Sequence, residues 1–424
     1  MQPTIEVTVN ETRLENGLIV VTEEIPTAAS AAVGIFVGAG SRDEIAGEVG
    51  ASHFLEHLTF KGTKDRDARS ISLAFDRMGG DSNAYTTKEY TTFHARVLGE
   101  HLAEASEILA DIVERPAIRA EDFEVERGII ADELALNVDD PDELCADELY
   151  LALFPDHQLG ASILGTKAQI EAMERQAVLD FHEGHYLAAN TVVSIAGCCS
   201  HEEAVAWASA SLGSRPGVHS SSRLAPGNET EALRCVERDA ESVHVFVAYR
   251  APARSGEGRF AAVVLNQLFG AGMSSRLFQI IREDHGWAYS VGSSYHGYTD
   301  TGLLTAGFAA PLEHAREAMA VVGESLRDLA SQGPSDEELD VACGSLRAEL
   351  LMAAEDAAWR MARNARGFLL DGLVRPLELD LSAIEAVTGE DVRMMAEQLL
   401  HAPKSVSCVG PLADGGLEIL GALG

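Results

Sequence analysis

The residues best able to do chemistry lie together in His53-Phe54-Leu55-Glu56-His57, an H-x-x-E-H run. Residues four apart on a helix share a face, so His53 and His57 can bind one metal ion together. Glu56 lies beside this pair, where its carboxylate could take a proton from a metal-bound water. The order is the inverse of H-E-x-x-H, in which two His bind zinc and the Glu acts as the base. A match of five residues is only suggestive, so the rest of the chain has to support it.

A third ligand can be sought on a second helix. Zinc held by two His usually takes a carboxylate as its third ligand and keeps one position open for water. In residues 124–133, Glu126 and Glu133 are seven apart, which is two helical turns, so both project from one side of the helix. We therefore expect Glu133 to bind the metal and Glu126 to orient a ligating His. The alternative at this stage is an ordinary solvated acidic helix.

Size and charge restrict the class of protein. A chain of 424 residues predicts two or more domains. Its formal net charge of −35 argues against binding to nucleic acid or to an anionic membrane, and it suits basic peptides. We find no apolar run of transmembrane length and no signal or presequence pattern at the N-terminus, so we expect a cytoplasmic protein.

The cysteines point to no further site. The six Cys residues are scattered without a C-x-x-C pair. This spacing predicts neither a disulfide framework nor a thiolate zinc site, and free thiols are the expectation.

The two halves of the sequence resemble each other, which predicts an internal duplication. Residues 83–98, followed by Glu100-His101, are echoed by residues 293–309, followed by Glu313-His314, and the two Glu-His pairs are 213 residues apart. A Gly-, Ser- and Pro-rich stretch at 213–229 predicts a linker between a first lobe, 1–212, and a second lobe, 230–424. The stretch that corresponds to His53–His57 is Phe260-Ala261-Ala262-Val263-Val264, which cannot bind a metal.

Both halves predict the same fold class. Helical stretches at 102–113, 121–137, 313–329 and 336–355 alternate with strand-like segments at 19–23, 31–36, 191–196, 243–248 and 303–308. Because some strands arrive as hairpins, the pattern favours an α+β fold over a doubly wound one. We expect two similar α/β-sandwich lobes with mainly antiparallel sheets flanked by helices.

Taken together, these motifs resemble the pitrilysin-like zinc metallopeptidases, the family of insulin-degrading enzyme and mitochondrial processing peptidase. In that family the third ligand is a Glu about 76 residues after the second His, with Glu-Arg seven residues before it. Here Glu133 follows His57 by 76 residues, and Glu126-Arg127 precedes Glu133 by seven. The resemblance extends over nearly the whole chain through further matching motifs: Gly38-Ala39-Gly40-Ser41-Arg42-Asp43-Glu44, Phe60-Lys61-Gly62-Thr63, Asn83-Ala84-Tyr85-Thr86 and Met273-Ser274-Ser275-Arg276-Leu277-Phe278.

The resemblance implies further site residues. Arg282 and Tyr289 match a family Arg/Tyr pair that reaches the substrate, where they would orient the scissile carbonyl and stabilise the oxyanion. If the resemblance is set aside, the residues alone predict that Arg282 forms a surface ion pair with Glu283 or Asp284 and that Tyr289 lies in the core. Asn83 and Ala84 match the edge strand that pairs with an extended peptide, by β-augmentation. The alternative there is an interior hairpin strand.

The resemblance also implies an activity and an assembly. We expect a zinc endopeptidase in which His53, His57 and Glu133 hold Zn²⁺ and Glu56 is the general base on the zinc-bound water. Short family members pair, and this chain holds both the metal motif and the Arg/Tyr pair, which favours a homodimer enclosing a chamber for unfolded peptides. A processing-peptidase subunit and a non-catalytic peptide-binding scaffold are the alternatives.

Overall fold

The computed structural model describes residues 8–212, 217, 223–412 and 416–423. Of the predicted linker, residues 213–216 and 218–222 lie outside this part of the chain. The strands are β1 (Thr8–Arg13), β2 (Ile19–Glu24), β3 (Ser30–Val37), β4 (Asp81–Thr86), β5 (Thr91–Leu98), β6 (Thr191–Gly197), β7 (Leu233–Glu237), β8 (Val243–Ala251), β9 (Ser290–Gly297), β10 (Gly302–Ala310) and β11 (Lys404–Gly410).

Helices connect and cover these strands. The described residues also include three short π-helical turns, at Gln267–Ala271, Phe278–Asp284 and Gly367–Asp371. Among the described residues no helix has the length and apolar character needed to cross a membrane. The α-helices are α1 (Ala51–Thr59), α2 (Ala68–Met78), α3 (Leu102–Glu114), α4 (Ala120–Asp139), α5 (Pro141–Leu153), α6 (Lys167–Ala172), α7 (Arg175–His185), α8 (His201–Ser211), α9 (Arg259–Asn266), α10 (Leu312–Gln332), α11 (Asp336–Ala353), α12 (Ala357–Arg366), α13 (Leu377–Glu385), α14 (Gly389–His401) and α15 (Gly416–Ala422).

The two sheets share one topology. The first has the order β1-β2-β6-β3-β5-β4 and the second the order β7-β11-β8-β10-β9. Apart from the extra strand β1, each position in one sheet has a counterpart in the other. Every neighbouring pair is antiparallel except β2 with β6 and β7 with β11, which occupy corresponding places. The predicted α+β class with two similar, mainly antiparallel lobes is therefore confirmed.

The chain forms two compact units, and each borrows a segment from the other half of the sequence. The first unit comprises Met1–Leu134, Ser162–Arg223 and Met352–Arg375. The second comprises Ala135–Ala161, Leu224–Leu351 and Pro376–Gly424. Helix α12 thus packs on β3 and β6 of the first sheet, while α5 packs on β11 and β8 of the second. The division at 213–229 into two repeated halves stays a prediction about the sequence.

This exchange explains why the central strands carry apolar residues on both faces. In β3, Val33 and Ile35 face a core that includes residues of α1 and α3, whereas Ala32 and Phe36 face a second core against Met361 of α12. Successive side chains of a strand point to opposite faces, so a sheet covered on both sides needs apolar residues at every position. The borrowed helix supplies the cover for the second face.

A buried ion pair fixes α12 to the first sheet. The carboxylate of Glu23, at the end of β2, accepts hydrogen bonds from the Arg360 guanidinium and from Asn364 Nδ2, the latter at 2.7 Å. Glu23 and Asn364 are buried, and the Arg360 side chain is nearly so. These contacts join β2 to α12, which are distant in the sequence. The Glu23 and Arg360 charges neutralise each other, so both can be buried where either one alone would be costly.

We predict that Glu23→Ala destabilises the first unit by about 3–5 kcal/mol, because it leaves the Arg360 charge buried without its partner. Urea unfolding of the full chain measures this loss. Glu11→Ala removes the same charge from an exposed site on β1 and serves as the control, with an expected change of about 0.5 kcal/mol or less. Equal effects of the two substitutions would show that this ion pair does not hold α12.

Candidate metal centre

The N-terminus of α1 is fixed by a buried carboxylate. Glu44 accepts hydrogen bonds from the backbone N–H groups of Gly50 and Ser52, each at 2.8 Å, and from Ser52 Oγ at 2.5 Å. These donors are free because a helix leaves its first N–H groups unpaired. Gly50 precedes the helix in the left-handed region, at φ 94°, which favours glycine. Burial raises the pKa of Glu44 to about 7, against the opposing effect of these hydrogen bonds.

The rotation of α1 about its axis is set by its apolar residues. Phe54, Leu55 and Leu58 are buried in the core of the first unit. The ring of Phe54 stacks on Phe123 of α4, with ring centroids 4.5 Å apart and planes at 15°. This contact joins the two helices that carry the predicted ligands, so the imidazoles on α1 face the carboxylates on α4.

The three predicted metal ligands meet in the first unit. His53 Nε2 lies 3.7 Å from Glu133 Oε1, and His57 Nε2 lies 3.5 Å from Glu133 Oε2. One donor atom from each of the three residues falls within 4.8 Å of the others, and they form the one such His, Cys, Asp and Glu cluster among the described residues. A zinc ion about 2.0–2.2 Å from each of two nitrogens and one oxygen leaves donors at about this spacing. The donor set therefore fits zinc with one position left for a water.

The other ring nitrogen of His57 is held by Glu126. His57 Nδ1 donates to Glu126 Oε2 at 2.9 Å, and the Glu126 carboxylate is almost fully buried. Lys61 Nζ lies 2.5 Å from the second oxygen, Oε1, and balances the charge. A proton on Nδ1 leaves the lone pair of Nε2 free, which is the tautomer that a metal ligand needs.

His53 is held as a neutral imidazole. Burial, followed by the nearby His57, lowers its pKa to about 3. Its Nδ1 atom is buried and has no hydrogen-bond partner among the described residues. Neutral imidazole is the form that binds metal ions.

Glu56 lies on the same helix and is oriented from the first sheet. Thr86 Oγ1, at the end of β4, donates to Glu56 Oε2 at 2.6 Å. Burial of the carboxyl raises the pKa of Glu56. A base in a polar but largely buried position can accept a proton without the strong hydration that would weaken it.

The predicted peptide-binding strand lies at the edge of its sheet. Within the part of the chain that the structure describes, β4 pairs with β5 alone, so the alternative of an interior strand is wrong. Asn83 is exposed on β4, and its Oδ1 accepts the N–H of Ala84 at 2.9 Å, while Ala84 itself is buried. An edge strand offers backbone groups to a further strand, as β-augmentation requires.

Arg282 and Tyr289 belong to the second unit, where they contact each other. The Arg282 guanidinium lies 4.4 Å from the centroid of the Tyr289 ring, and its Nη1 donates to the Tyr289 carbonyl at 3.2 Å. Arg282 also makes a long ion pair with Glu283, at 3.5 Å. Tyr289 is 83% exposed, so the alternative that assigned it to the core is wrong. The pair presents a cation and a phenol at the surface of its unit.

Sequence reasoning gave no role to three residues that support this site, Glu44, Lys61 and Thr86. All three lie in segments that carried the family resemblance, so the motif pointed to their positions. Their roles come from contacts with residues between 6 and 65 positions away, which spacing along one helix cannot predict. The predicted role of each ligand and catalytic residue stays a prediction until a metal or a substrate is measured.

Comparisons with known proteins identify relatives of this chain. Residues 19–167 match the family described as Insulinase (Peptidase family M16), and residues 172–346 match the Peptidase M16 inactive domain. The chain is 40% identical to an uncharacterized zinc protease of Mycobacterium leprae, over 95% of this chain and 92% of the relative. It is 32% identical to the uncharacterized zinc protease YmxG of Bacillus subtilis, over 94% of this chain and 97% of the relative.

Solved structures show the same fold. A protease from Helicobacter pylori superimposes with a TM-score of 0.88 at 20% identity, covering 95% of this chain and all of the other. The crystal structure of a peptidase M16 inactive domain from Pseudomonas fluorescens gives a TM-score of 0.87 at 19% identity, covering 95% of this chain and 98% of the other.

We predict that Glu133→Gln abolishes stable zinc binding, because a neutral amide replaces the one charged ligand. Glu126→Gln should keep the ligand set and weaken zinc affinity about 10–100-fold, since it disturbs only the support of His57. Competition with a chromogenic chelator measures both affinities. Glu121→Gln, exposed on the same helix, is the control. Unchanged zinc affinity in Glu133→Gln would exclude it as a ligand.

Proposed function

Because the chain belongs to the insulinase family of peptidases, M16, we propose that it is a zinc-dependent endopeptidase that hydrolyses unfolded peptides. The observation that carries the proposal is the convergence of His53, His57 and Glu133 beside the partly buried carboxyl of Glu56. The relatives named as zinc proteases support the metal and the reaction class.

The residues present would hold one zinc ion through two imidazoles and one carboxylate. When bound there, zinc supplies a Lewis acid that polarises the peptide carbonyl and increases the acidity of a water molecule. The protein contributes the fixed geometry, since Glu126 orients His57 and Glu44 fixes the start of α1. This preorganisation keeps the donor atoms in place before substrate arrives.

Glu56 would act as the general base. Its carboxylate accepts a proton from the attacking water and then delivers that proton to the nitrogen of the leaving amine. Thr86 holds one of its oxygens, Oε2, and Oε1 would accept the proton. Removal of the carboxylate therefore removes the proton transfer while the ligand set remains.

The peptide would bind in extended form against the edge of β4. Backbone hydrogen bonds to an edge strand do not depend on side chains, so they suit a peptidase with broad sequence tolerance. Asn83 would exchange its own contact with the Ala84 N–H for contacts with the peptide backbone. The net charge of −35 favours basic peptides among the substrates.

Arg282 and Tyr289 would complete the reaction from the second unit. A guanidinium and a phenol can orient the scissile carbonyl and stabilise negative charge as it develops on the oxygen. Their stacking holds both groups in one arrangement. We propose a homodimer in the cytoplasm that encloses the substrate in a chamber, and either copy could then supply this pair.

Two alternatives carry a different function. A non-catalytic peptide-binding scaffold would be expected to lack a ligand or the base, and this chain retains His53, His57, Glu133 and Glu56. A processing-peptidase subunit would use the same chemistry on one precursor with a second, different subunit.

We predict that the purified chain cleaves a quenched basic peptide, carries about one zinc per chain and loses activity to a chelator. Glu56→Gln should keep the zinc and lower kcat about 10²–10⁴-fold, because the proton acceptor is lost. Activity and zinc content are measured on the same samples, with Glu121→Gln as the surface control. Zinc without cleavage would favour the scaffold or a missing partner, and full turnover by Glu56→Gln would remove it as the base.

Mixed dimers test whether two copies share one site. Arg282→Ala and Glu56→Gln should each be inactive alone, and mixing them should restore part of the activity if Arg282 of one copy serves the metal site of the other. The assay is peptide hydrolysis after exchange of subunits, with size-exclusion chromatography of differently tagged copies to verify mixed dimers. Absence of recovery in verified mixed dimers would place both functions in the same copy.

A further inference from the structure

Two cysteines face each other across a pair of strands in the second unit, far from the metal centre in sequence. Cys235 on β7 and Cys408 on β11 are direct register partners in the parallel ladder. Neighbouring strands lie about 4.7–4.9 Å apart, which falls within the range of Cα separations that a disulfide spans, about 4.4–6.8 Å. Register partners also point to the same face of the sheet.

The two thiols have different environments. Cys235 is exposed on the edge strand, whereas Cys408 is buried in the core of the second unit. Interaction with the neighbouring Cys408 thiol lowers the pKa of Cys235, whereas interaction with Cys235, followed by burial, raises the pKa of Cys408. An accessible thiol with a stabilised thiolate, next to a second thiol that can resolve it, is the arrangement of a redox-sensitive cysteine.

A third cysteine is close but faces the other way. Cys145 on α5 contacts Ser407 Oγ at 3.2 Å, and Ser407 precedes Cys408 on β11. Because successive residues of a strand point to opposite faces, Cys145 lies on the opposite side of the sheet from the Cys408 thiol. Cys235 is therefore the partner that Cys408 can reach.

We propose that Cys235 and Cys408 form a reversible modification site, a dithiol that peroxides oxidise to an intramolecular disulfide. The Cys235 thiolate attacks one oxygen of the peroxide and breaks the O–O bond, which leaves a sulfenic acid on Cys235 and releases hydroxide when the oxidant is hydrogen peroxide. The Cys408 thiol then attacks that sulfur, forms the S–S bond and releases water. Two thiols lose two electrons in total, and the peroxide takes them up.

The disulfide would lock the outermost strand of the second sheet. Among the described strands, β7 pairs in the sheet with β11 alone, so a disulfide would add a covalent bond to the backbone hydrogen bonds of that pair. Gly416, the first residue of α15, lies so close to Cys235 that a Cβ at that position would come within 2.5 Å of the sulfur. The disulfide would thus form where β7, β11 and α15 are in contact.

The test is a peptide map of the reduced full chain before and after hydrogen peroxide, with free thiols alkylated and sulfenic acids trapped by dimedone. We expect free thiols to fall from six to four per chain, with a peptide pair joining Cys235 to Cys408 that dithiothreitol separates. Cys408→Ala should instead accumulate dimedone-labelled Cys235, because the resolving thiol is gone. Cys198→Ser, an exposed thiol of the first unit, should leave the linked pair unchanged.

Several outcomes would overturn the proposal. These are dimedone-labelled Cys235 in the unsubstituted chain without a linked peptide, a link between Cys408 and Cys145, and six free thiols after treatment. The map of the unsubstituted chain decides among them even where Cys408→Ala fails to fold, and circular dichroism of each reduced variant verifies folding.

Discussion

The packing of α1 against α4 is the contact on which the metal centre depends. Neither helix carries a complete site, since α1 supplies two imidazoles and α4 the carboxylates. The stacked rings of Phe54 and Phe123, buried in the core, fix how the two helices face each other. Because protein cores are close-packed, a rotation of either helix would force apolar side chains into solvent. The geometry of the polar site is therefore maintained mainly by apolar contacts beneath it.

The carboxylates near the contact between α1 and α4 have different roles because their surroundings differ. Glu44 satisfies the unpaired N–H groups at the start of α1, Glu126 holds a ring nitrogen of His57, and Glu133 faces both imidazoles. Glu56 is oriented by Thr86, and burial raises its pKa. In a chain with 67 acidic residues, composition alone says nothing about these roles. Burial and hydrogen-bond partners distinguish them.

Duplication and exchange together explain the architecture. The two sheets have the same strand order, yet one face of each is covered by a helix from the other half of the sequence, α12 on the first and α5 on the second. A sheet with apolar residues on both faces is stable only when both are covered. The exchange meets this need and explains why the ion pair of Glu23 with Arg360 joins residues so distant in the sequence.

The sequence by itself determined what depends on local spacing. The helical period placed His53, Glu56 and His57 together and put Glu126 and Glu133 on one side of α4. Apolar runs located the central strands to within three residues at each end. Long-range packing decided the rest: the bond of Thr86 to Glu56, the ion pair of Lys61 with Glu126, and the facing of Cys235 and Cys408. Local periodicity fixes the direction of a side chain on its own element. Which partner it meets depends on how separate elements pack, because that is where burial contributes most of its free energy.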